Sequence, residues 1–263
     1  MKKRKTTIVT APVILDRIPF CQPTTYPTDI KDIDRVCWLT PWGAASVDGR
    51  IGERHKDVLH CLDSEGVVIS KSLDPVNRLC ITIDPYALTK KVEMETHQAR
   101  RLLHDLACAR VDLYIKNGDR HVVGAILTFE DAPITIENPW AGRRDDAKEN
   151  RRLWTVTLSE HWTALLAWSK THGWYQYDLS ELLDMTGPTR ALARWALGHK
   201  QVNQPLDSII TYFHPSRRAD KLKAAIREDA DLLEAVGIQL SEKGHVTKPM
   251  SRNAPGAARN APG

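Results

Sequence analysis

Apolar residues recur at three- and four-residue intervals through 186–237, a spacing that predicts three consecutive helices. Pro205 suits the start of the second helix, and Gly237 suits the end of the third. Short alternating segments at 238–240 and 245–247 follow and are predicted to pair across the turn between them. The predicted inner positions of the three helices are Leu192, Trp195, Ala196 and His199; Leu206, Ile209, Ile210 and Phe213; and Ala219, Leu222, Ile226, Leu233 and Val236.

Positive charge is concentrated at the start of the third of these helices. The helix macrodipole disfavours cations there by roughly 0.3–1 kcal/mol, so the pattern favours an anionic partner such as phosphate. The order helix, helix, basic helix, β-ribbon is typical of a winged helix, which presents one helix to a DNA groove. A charge run on a helix also fits an ordinary solvated face. The residues predicted to contact DNA here, two of them on the outer face of the first helix, are Arg190, Arg194, Arg217, Arg218, Lys221, Lys223, Arg227 and Lys243.

A similar order of elements is predicted earlier in the chain. The patterns indicate a helix at 53–65, a strand at 79–83, a short helix at 84–90 and a longer helix from 96 to about 109. The longer helix has an apolar stripe on one side and a basic face on the other. The basic helix near the C-terminus has the same arrangement.

A β-hairpin is predicted directly after the longer helix. Residues 111–115 and 123–129 alternate on either side of Asn117-Gly118, and Asn-Gly suits a type I′ turn because both central residues need positive φ. The basic face and this turn supply a second group of predicted DNA contacts. Its members are His97, Arg100, Arg101, Lys116, Asn117 and Arg120.

These patterns predict an α+β, mainly helical protein with two winged-helix domains joined by a linker. The first domain is expected at 35–130 and the second, DNA-binding domain at 153–248. Residues 131–152 are charged and hold two prolines and one glycine, which suits a linker. Residues 1–34 are basic and then proline-rich, which predicts an arm. Residues 249–263 contain the sequence RNAPG twice, which predicts a disordered tail.

The composition is consistent with the predicted organisation of the chain. The formal charge of +4 is modest and local, which favours a directed contact with a polyanion. The five cysteines form no CxxC pair, so we predict reduced thiols in a cytoplasmic protein. No apolar run is long enough to cross a membrane. Trp174, Tyr175 and Tyr177 form an aromatic patch that fits the core better than base stacking, although both interpretations are open.

Motifs for enzyme chemistry are not found in the sequence. It holds no Walker-type phosphate loop, no His-x-His pair, no GxSxG or HExxH, and no paired-cysteine zinc motif. His104 and Cys108 lie four residues apart on a predicted helix, but no second ligand pair accompanies them. We therefore predict no catalytic residue, no metal site and no cofactor.

Three stretches carry a resemblance to a known family. They are the hairpin around Asn117-Gly118, the LWTVTL segment at 153–158 followed by a helix, and TRALARWALGH leading to the basic helix from Arg217. Over roughly residues 36–248 the chain resembles the twin winged-helix plasmid replication initiators, which bind iterons. It differs from them in a weaker second β-ribbon and a long prolyl arm.

The resemblance implies a role for each half of the chain. The second domain would read direct repeats of a plasmid origin in double-stranded DNA through the major groove, and the first would mediate self-association, contact the next piece of DNA, or both. Bound copies would strain an adjacent A·T-rich segment and help to recruit the host replicative helicase, with binding energy used to deform DNA.

Two other functions stay open from the residues alone. A transcriptional regulator built from the same modules would bind a palindromic operator, because two-fold protein symmetry is mirrored in its site, whereas an initiator would bind tandem direct repeats. A metal-dependent nuclease with winged-helix accessory domains would need bound metal, or a DNA cleavage activity that chelation stops.

Overall fold

The computed structural model describes residues 6–24, 36–131, 153–213 and 219–249. Arg217 and Arg218, nearly all of the predicted linker and the predicted tail lie outside these ranges. The described elements are β1 (Ile8–Pro12), α1 (Val13–Arg17), β2 (Val36–Thr40), β3 (Gly43–Asp48), α2 (Glu53–Cys61), β4 (Val68–Leu73), β5 (Leu79–Ile83), α3 (Pro85–Val92), α4 (Thr96–Cys108), β6 (Arg110–Ile115), β7 (Arg120–Ala125), β8 (Leu127–Glu130), β9 (Trp154–Leu158), α5 (Glu160–His172), β10 (Trp174–Asp178), α6 (Leu179–Leu182), α7 (Gly187–Leu197), β11 (Val202–Pro205), α8 (Leu206–Phe213), α9 (Ala219–Glu228), α10 (Ala230–Ala235), β12 (Gln239–Leu240) and β13 (His245–Lys248).

The protein is α+β, as the sequence predicted. Helices occupy 42% of the described residues, so the prediction of a mainly helical protein is not confirmed. Local signals explain where several helices begin. The Asp84 carboxylate accepts hydrogen bonds from the backbone N–H groups of Tyr86 and Ala87, and Pro85 fills the first turn of α3. Ser159 caps α5 in the same way.

The described strands form four antiparallel sheets, with the orders β2-β3-β6-β7, β4-β5-β9-β8, β1-β10 and β11-β13-β12. The predicted hairpin is confirmed as β6 and β7, in which Ile115 pairs with Arg120. Its loop is 116–119, with positive φ at Gly118 and Asp119, so the turn sits one residue later than Asn117-Gly118 predicted. After β7 the chain changes sheet, and β8 pairs with β9 instead.

Two predicted boundaries conflict with the strand pairing. The boundary at 153 divides a sheet, because β9 lies between β5 and β8 of the predicted first domain. The predicted arm is folded from residue 6 to residue 24: β1 pairs with β10, and Leu15 and Phe20 are buried. Both features depend on partners far away in sequence, which local periodicity does not reveal.

The C-terminal helices follow the prediction with one break. The third predicted helix is divided into α9 and α10 at Asp229, whose carboxylate accepts a hydrogen bond from the Thr186 backbone N–H at 2.8 Å. Gly237 ends α10 with a φ of 78°. The predicted β-ribbon forms, since Leu240 pairs with Val246.

One hydrophobic core runs through both halves of the chain. It includes Leu103 of α4 and Val156 of β9 as well as Leu192 and Trp195 of α7, so the predicted inner stripe of α7 is confirmed there. Tyr177 of the aromatic patch is also buried in it.

Candidate nucleic-acid interface

In the C-terminal half, the exposed cations that were predicted to contact DNA lie on α9 and on the turn between β12 and β13. Lys221 and Arg227 are exposed on α9, Lys243 is exposed in the turn, and none of the three has an ion-pair partner among the described residues. Lys223 is different, because its Nζ lies 2.5 Å from the Asp207 carboxylate of α8. This part of the predicted surface therefore keeps three unpaired cations in the described residues.

The outer face of α4 carries the second group of exposed side chains. His97 and Arg101 are exposed and have no ion-pair partner in the described part of the chain. Arg100 is also exposed and forms an ion pair with Asp131. The opposite face of α4 is buried through Leu102, Leu106 and their neighbours, so the core fixes the direction in which the cations point.

The tip of the β6–β7 hairpin extends this surface. Lys116, Asn117 and Arg120 are all exposed there. The Arg120 guanidinium lies 5.4 Å from the centre of the Trp168 ring of α5, and a Cβ at Gly118 would lie 3.1 Å from the same ring. The hairpin tip is therefore held against α5 by a close contact that a larger residue at 118 would disturb.

The prediction that Arg190 and Arg194 lie on the outer face of their helix is wrong. Their exposed fractions are 1% and 0%, so neither is placed to contact DNA. The Nη1 atom of Arg190 lies 2.6 Å from Asp57 of α2, and Arg194 bonds both Asp57 and Glu53. These carboxylates neutralise the two guanidinium groups and make their burial affordable.

A compact group of charged side chains surrounds these contacts. On its other side Lys56 donates to the Asp16 carboxylate of α1 at 3.0 Å, and Tyr175 of β10 donates to the same carboxylate at 2.6 Å. Arg190 also donates to the backbone oxygens of Leu182, Leu183 and Met185. We call the six charged residues the ionic joint: Asp16, Glu53, Lys56, Asp57, Arg190 and Arg194.

Electrostatics keep Asp57, the carboxylate that Arg190 and Arg194 share, charged at neutral pH. Burial alone would raise the pKa of Asp57, but the guanidinium groups of Arg190 and Arg194 hold it below its ordinary value. His60, beside the joint, has its pKa lowered to about 4 mainly by burial, so its ring is neutral and shares a 2.8 Å hydrogen bond with the Tyr177 hydroxyl. Asp16 also has a lowered pKa, whereas burial raises the pKa of Glu53, so the ionised carboxylates of the joint are anchored at Asp16 and Asp57.

Sequence reasoning missed this joint, although two signals were present. Arg190 and Arg194 are four residues apart on α7, and the positions between them include Ala191 and Ala193, whose small side chains permit close packing of helices. Glu53 and Asp57 on α2 repeat the same four-residue spacing with opposite charge. Matching charged pairs on two helices would have predicted a contact between α2 and α7.

No group of His, Cys, Asp or Glu side chains in the described ranges could hold a metal ion. No helix in the same ranges is long and apolar enough to cross a bilayer. Chemically, the described surface offers cations, amides and imidazoles on two helices and two turns, a set suited to phosphate and base edges.

The fold is similar to that of a solved structure containing domains 2 and 3 of RctB. The TM-score is 0.52 and the sequence identity is 10%, and the match covers 90% of this chain and 98% of the other. No protein-family model matches the chain, and no curated protein matches its sequence.

Proposed function

We propose that this protein is a sequence-specific double-stranded DNA-binding protein that initiates plasmid replication. The observation that carries the proposal is a repeated arrangement of exposed cations. In one half α4 leads into a hairpin with Lys116 and Arg120 at its tip, and in the other α9 and α10 lead into a ribbon with Lys243 at its turn. A winged helix uses such a helix in the major groove and such a ribbon on the neighbouring backbone.

The likeness in fold supports initiation among the DNA-binding functions. RctB is a replication initiator, and the match spans nearly all of its domains 2 and 3. Two winged-helix domains in one chain are what the family resemblance of the sequence implies. Binding to origin repeats would supply the free energy to deform a neighbouring A·T-rich segment and expose it to the host helicase.

The exposed residues divide into two roles. Arg101 and His97 on α4 and Lys221 on α9 lie on helix faces that would enter a groove, where such side chains read base edges. Lys116 and Lys243 lie on turns, where they would contact phosphates and fix the register of the protein on the duplex.

An edge strand supports the proposal that the protein self-associates. β4 pairs with β5 on one side, and among the described strands nothing pairs with its other side. Ile69 and Leu73 on this strand are 51% and 62% exposed, and Val76 beside it is 54% exposed. A second copy pairing its own β4 here would join two sheets and cover these apolar side chains.

The test is the selection of bound duplexes from a random pool, followed by titration of the selected site in one copy, in tandem copies and as an inverted repeat. We expect an asymmetric motif that is bound more tightly in tandem. Preference for the inverted repeat would favour a transcriptional regulator. Failure to enrich any motif, with a steep salt dependence only, would contradict sequence-specific binding.

A control separates DNA binding from initiation. A plasmid carrying the selected repeats beside an A·T-rich segment should show permanganate-reactive thymines in that segment only when the protein is present. Reversing the orientation of the repeats should abolish the reactivity. Binding without strand opening, even with the host helicase and its loader added, would leave the protein as a DNA-binding regulator.

A further inference from the structure

The ionic joint connects the two helices on which the candidate DNA-reading helices rest. α2 packs against α4, and α7 packs against α9, so the order of contact is α4, α2, α7, α9. The middle contact of this series is the one that carries Asp57 and Glu53 on α2 against Arg190 and Arg194 on α7.

Polar groups also lie at the outer two contacts. His55 of α2 lies with its Nε2 3.5 Å from the Asp105 carboxylate of α4. Asp229, at the end of α9, accepts a hydrogen bond from the backbone N–H of Thr186, which precedes α7. A hydrogen bond therefore supports the contact between α7 and α9, whereas the contact between α2 and α4 depends on apolar packing, because His55 Nε2 has no hydrogen-bond partner in the described part of the chain.

The joint resists sliding and rotation for a geometric reason. A guanidinium group has five N–H donors in a fixed plane. Arg194 donates to both Glu53 and Asp57 of α2, and Arg190 donates to Asp57. The other three bonds of Arg190 go to backbone oxygens of the segment before α7, which fixes its guanidinium plane. A displacement of α7 along α2 by even a fraction of a turn would leave charged groups buried without partners. An apolar contact of the same area would tolerate repacking much better.

We propose that the ionic joint fixes the spacing of the two DNA-reading helices, so that the protein recognises one composite site with an invariant distance between its two parts. This rests on the proposed function. Arg190, Arg194 and Asp57 are then positioning residues: they do not contact DNA, and they determine which spacing of base pairs is bound.

The first test uses the wild-type chain and the selected DNA site. Footprints of Arg101→Ala and Lys221→Ala should lose protection at different ends, which assigns one part of the site to each helix. Base pairs are then inserted between the two parts. One inserted base pair rotates them by about 34° and separates them by about 3.4 Å.

A fixed joint predicts a loss of at least about tenfold in affinity for a single insertion, since the base contacts of one helix are lost. Ten inserted base pairs restore the face of the duplex but not the distance, so affinity should not recover. Retained affinity for the one-base-pair insertion, or recovery at ten, would overturn the fixed spacing while leaving DNA binding intact. A chain that binds no specific duplex would instead overturn the proposed function.

Variants then connect the spacing to the joint. The double variant Arg190→Lys, Arg194→Lys keeps both positive charges but replaces the planar guanidinium groups, whose N–H donors are fixed in direction, with ammonium groups. We therefore expect the preference for the original spacing over the one-base-pair insertion to fall by at least about fivefold. Leu88→Ala is the control for lost stability, because this buried residue of α3 is not one of the six residues of the joint. The same fall in Leu88→Ala, or an unchanged preference in a folded double variant, would overturn the role of the joint. If the double variant does not fold, Arg190→Lys alone is measured in the same way, and an unchanged preference in that folded variant overturns the role of the joint.

Discussion

Arg190 and Arg194 on α7 and Arg100 and Arg101 on α4 are the same residue type on helices of similar length, yet they meet opposite surroundings. The α7 pair is enclosed and shares the carboxylate of Asp57, whereas the α4 pair is exposed. The difference arises outside each helix, in whether a neighbouring element supplies carboxylates and backbone oxygens. Positive charge on a helix therefore predicts a DNA contact only after the opposing helix has been considered.

The largest effect should follow removal of the shared carboxylate. Asp57→Ala leaves two guanidinium groups buried with one carboxylate fewer, and we expect it to lower the free energy of unfolding by about 3–5 kcal/mol. Urea unfolding followed by tryptophan fluorescence measures this change. A loss below about 1 kcal/mol would show that solvent reaches the joint.

The second-largest effect should be a loss of folding stability in acid. The folded-state pKa values of His60 and His199 are lowered to about 4, mainly by burial, so the unfolded chain binds protons that the folded chain does not. Stability is then lost as pH falls from about 6.5 toward 4. Asp16 and Asp57, with lowered pKa values, add a loss at lower pH, and Glu53, whose pKa is raised by burial, opposes it.

The measurement is the urea midpoint at several pH values between 7 and 4. His60→Gln should reduce the dependence on pH, and His161→Gln is the control, since His161 is exposed and has no ion-pair partner among the described residues. An equally steep dependence in His60→Gln would assign the acid sensitivity to other groups.

Substitutions of the exposed cations should change DNA affinity and leave the free energy of unfolding unchanged. Arg101→Ala and Lys221→Ala should each weaken DNA binding, and each lost phosphate contact should lower the slope of log affinity against log salt by about one. Lys170→Ala, an exposed cation on α5, is the control. Wild-type affinity in both variants would remove α4 and α9 from the DNA interface.

The smallest effect is expected at a solvent-exposed ion pair. Asp207→Ala removes the partner of Lys223, but the Asp207 side chain is 75% exposed, so unfolding should change by about 0–1 kcal/mol. The same denaturation experiment compares this pair directly with Asp57. Equal losses in the free energy of unfolding for Asp57→Ala and Asp207→Ala would contradict the difference between the buried joint and the exposed surface.

The sequence predicted the elements whose cause is local. The β6–β7 hairpin, α4 and the stripe of α7 through Leu192 and Trp195 were found from periodicity and turn chemistry. The folding of residues 6–24, the position of β9 and the burial of Arg194 were not found. Each of these depends on a partner more than 70 residues away, such as Tyr177 for Val9 or Glu53 for Arg194. The periodicity of one segment does not show such a partner; for Arg194 it becomes visible only when the charge spacing of two helices is compared.

Residues of the candidate interface also differ in whether the sequence alone predicts their exposure. Exposure of Arg101, Lys116 and Lys221 follows from amphipathic spacing and turn position, which the sequence displays directly. Arg190 has similar spacing, but its surroundings depend on the approach of α2, and this approach is a property of tertiary packing.

The pairing of β1 with β10 has a consequence for how the chain is made. Ile8 pairs with Asp178, so β1 must wait for a partner strand that is synthesised only after β2 to β9. Such a contact raises the contact order and slows folding, because the loop must close before the pair forms. Until then Val9 and Ala11, which the finished protein buries, stay accessible to chaperones.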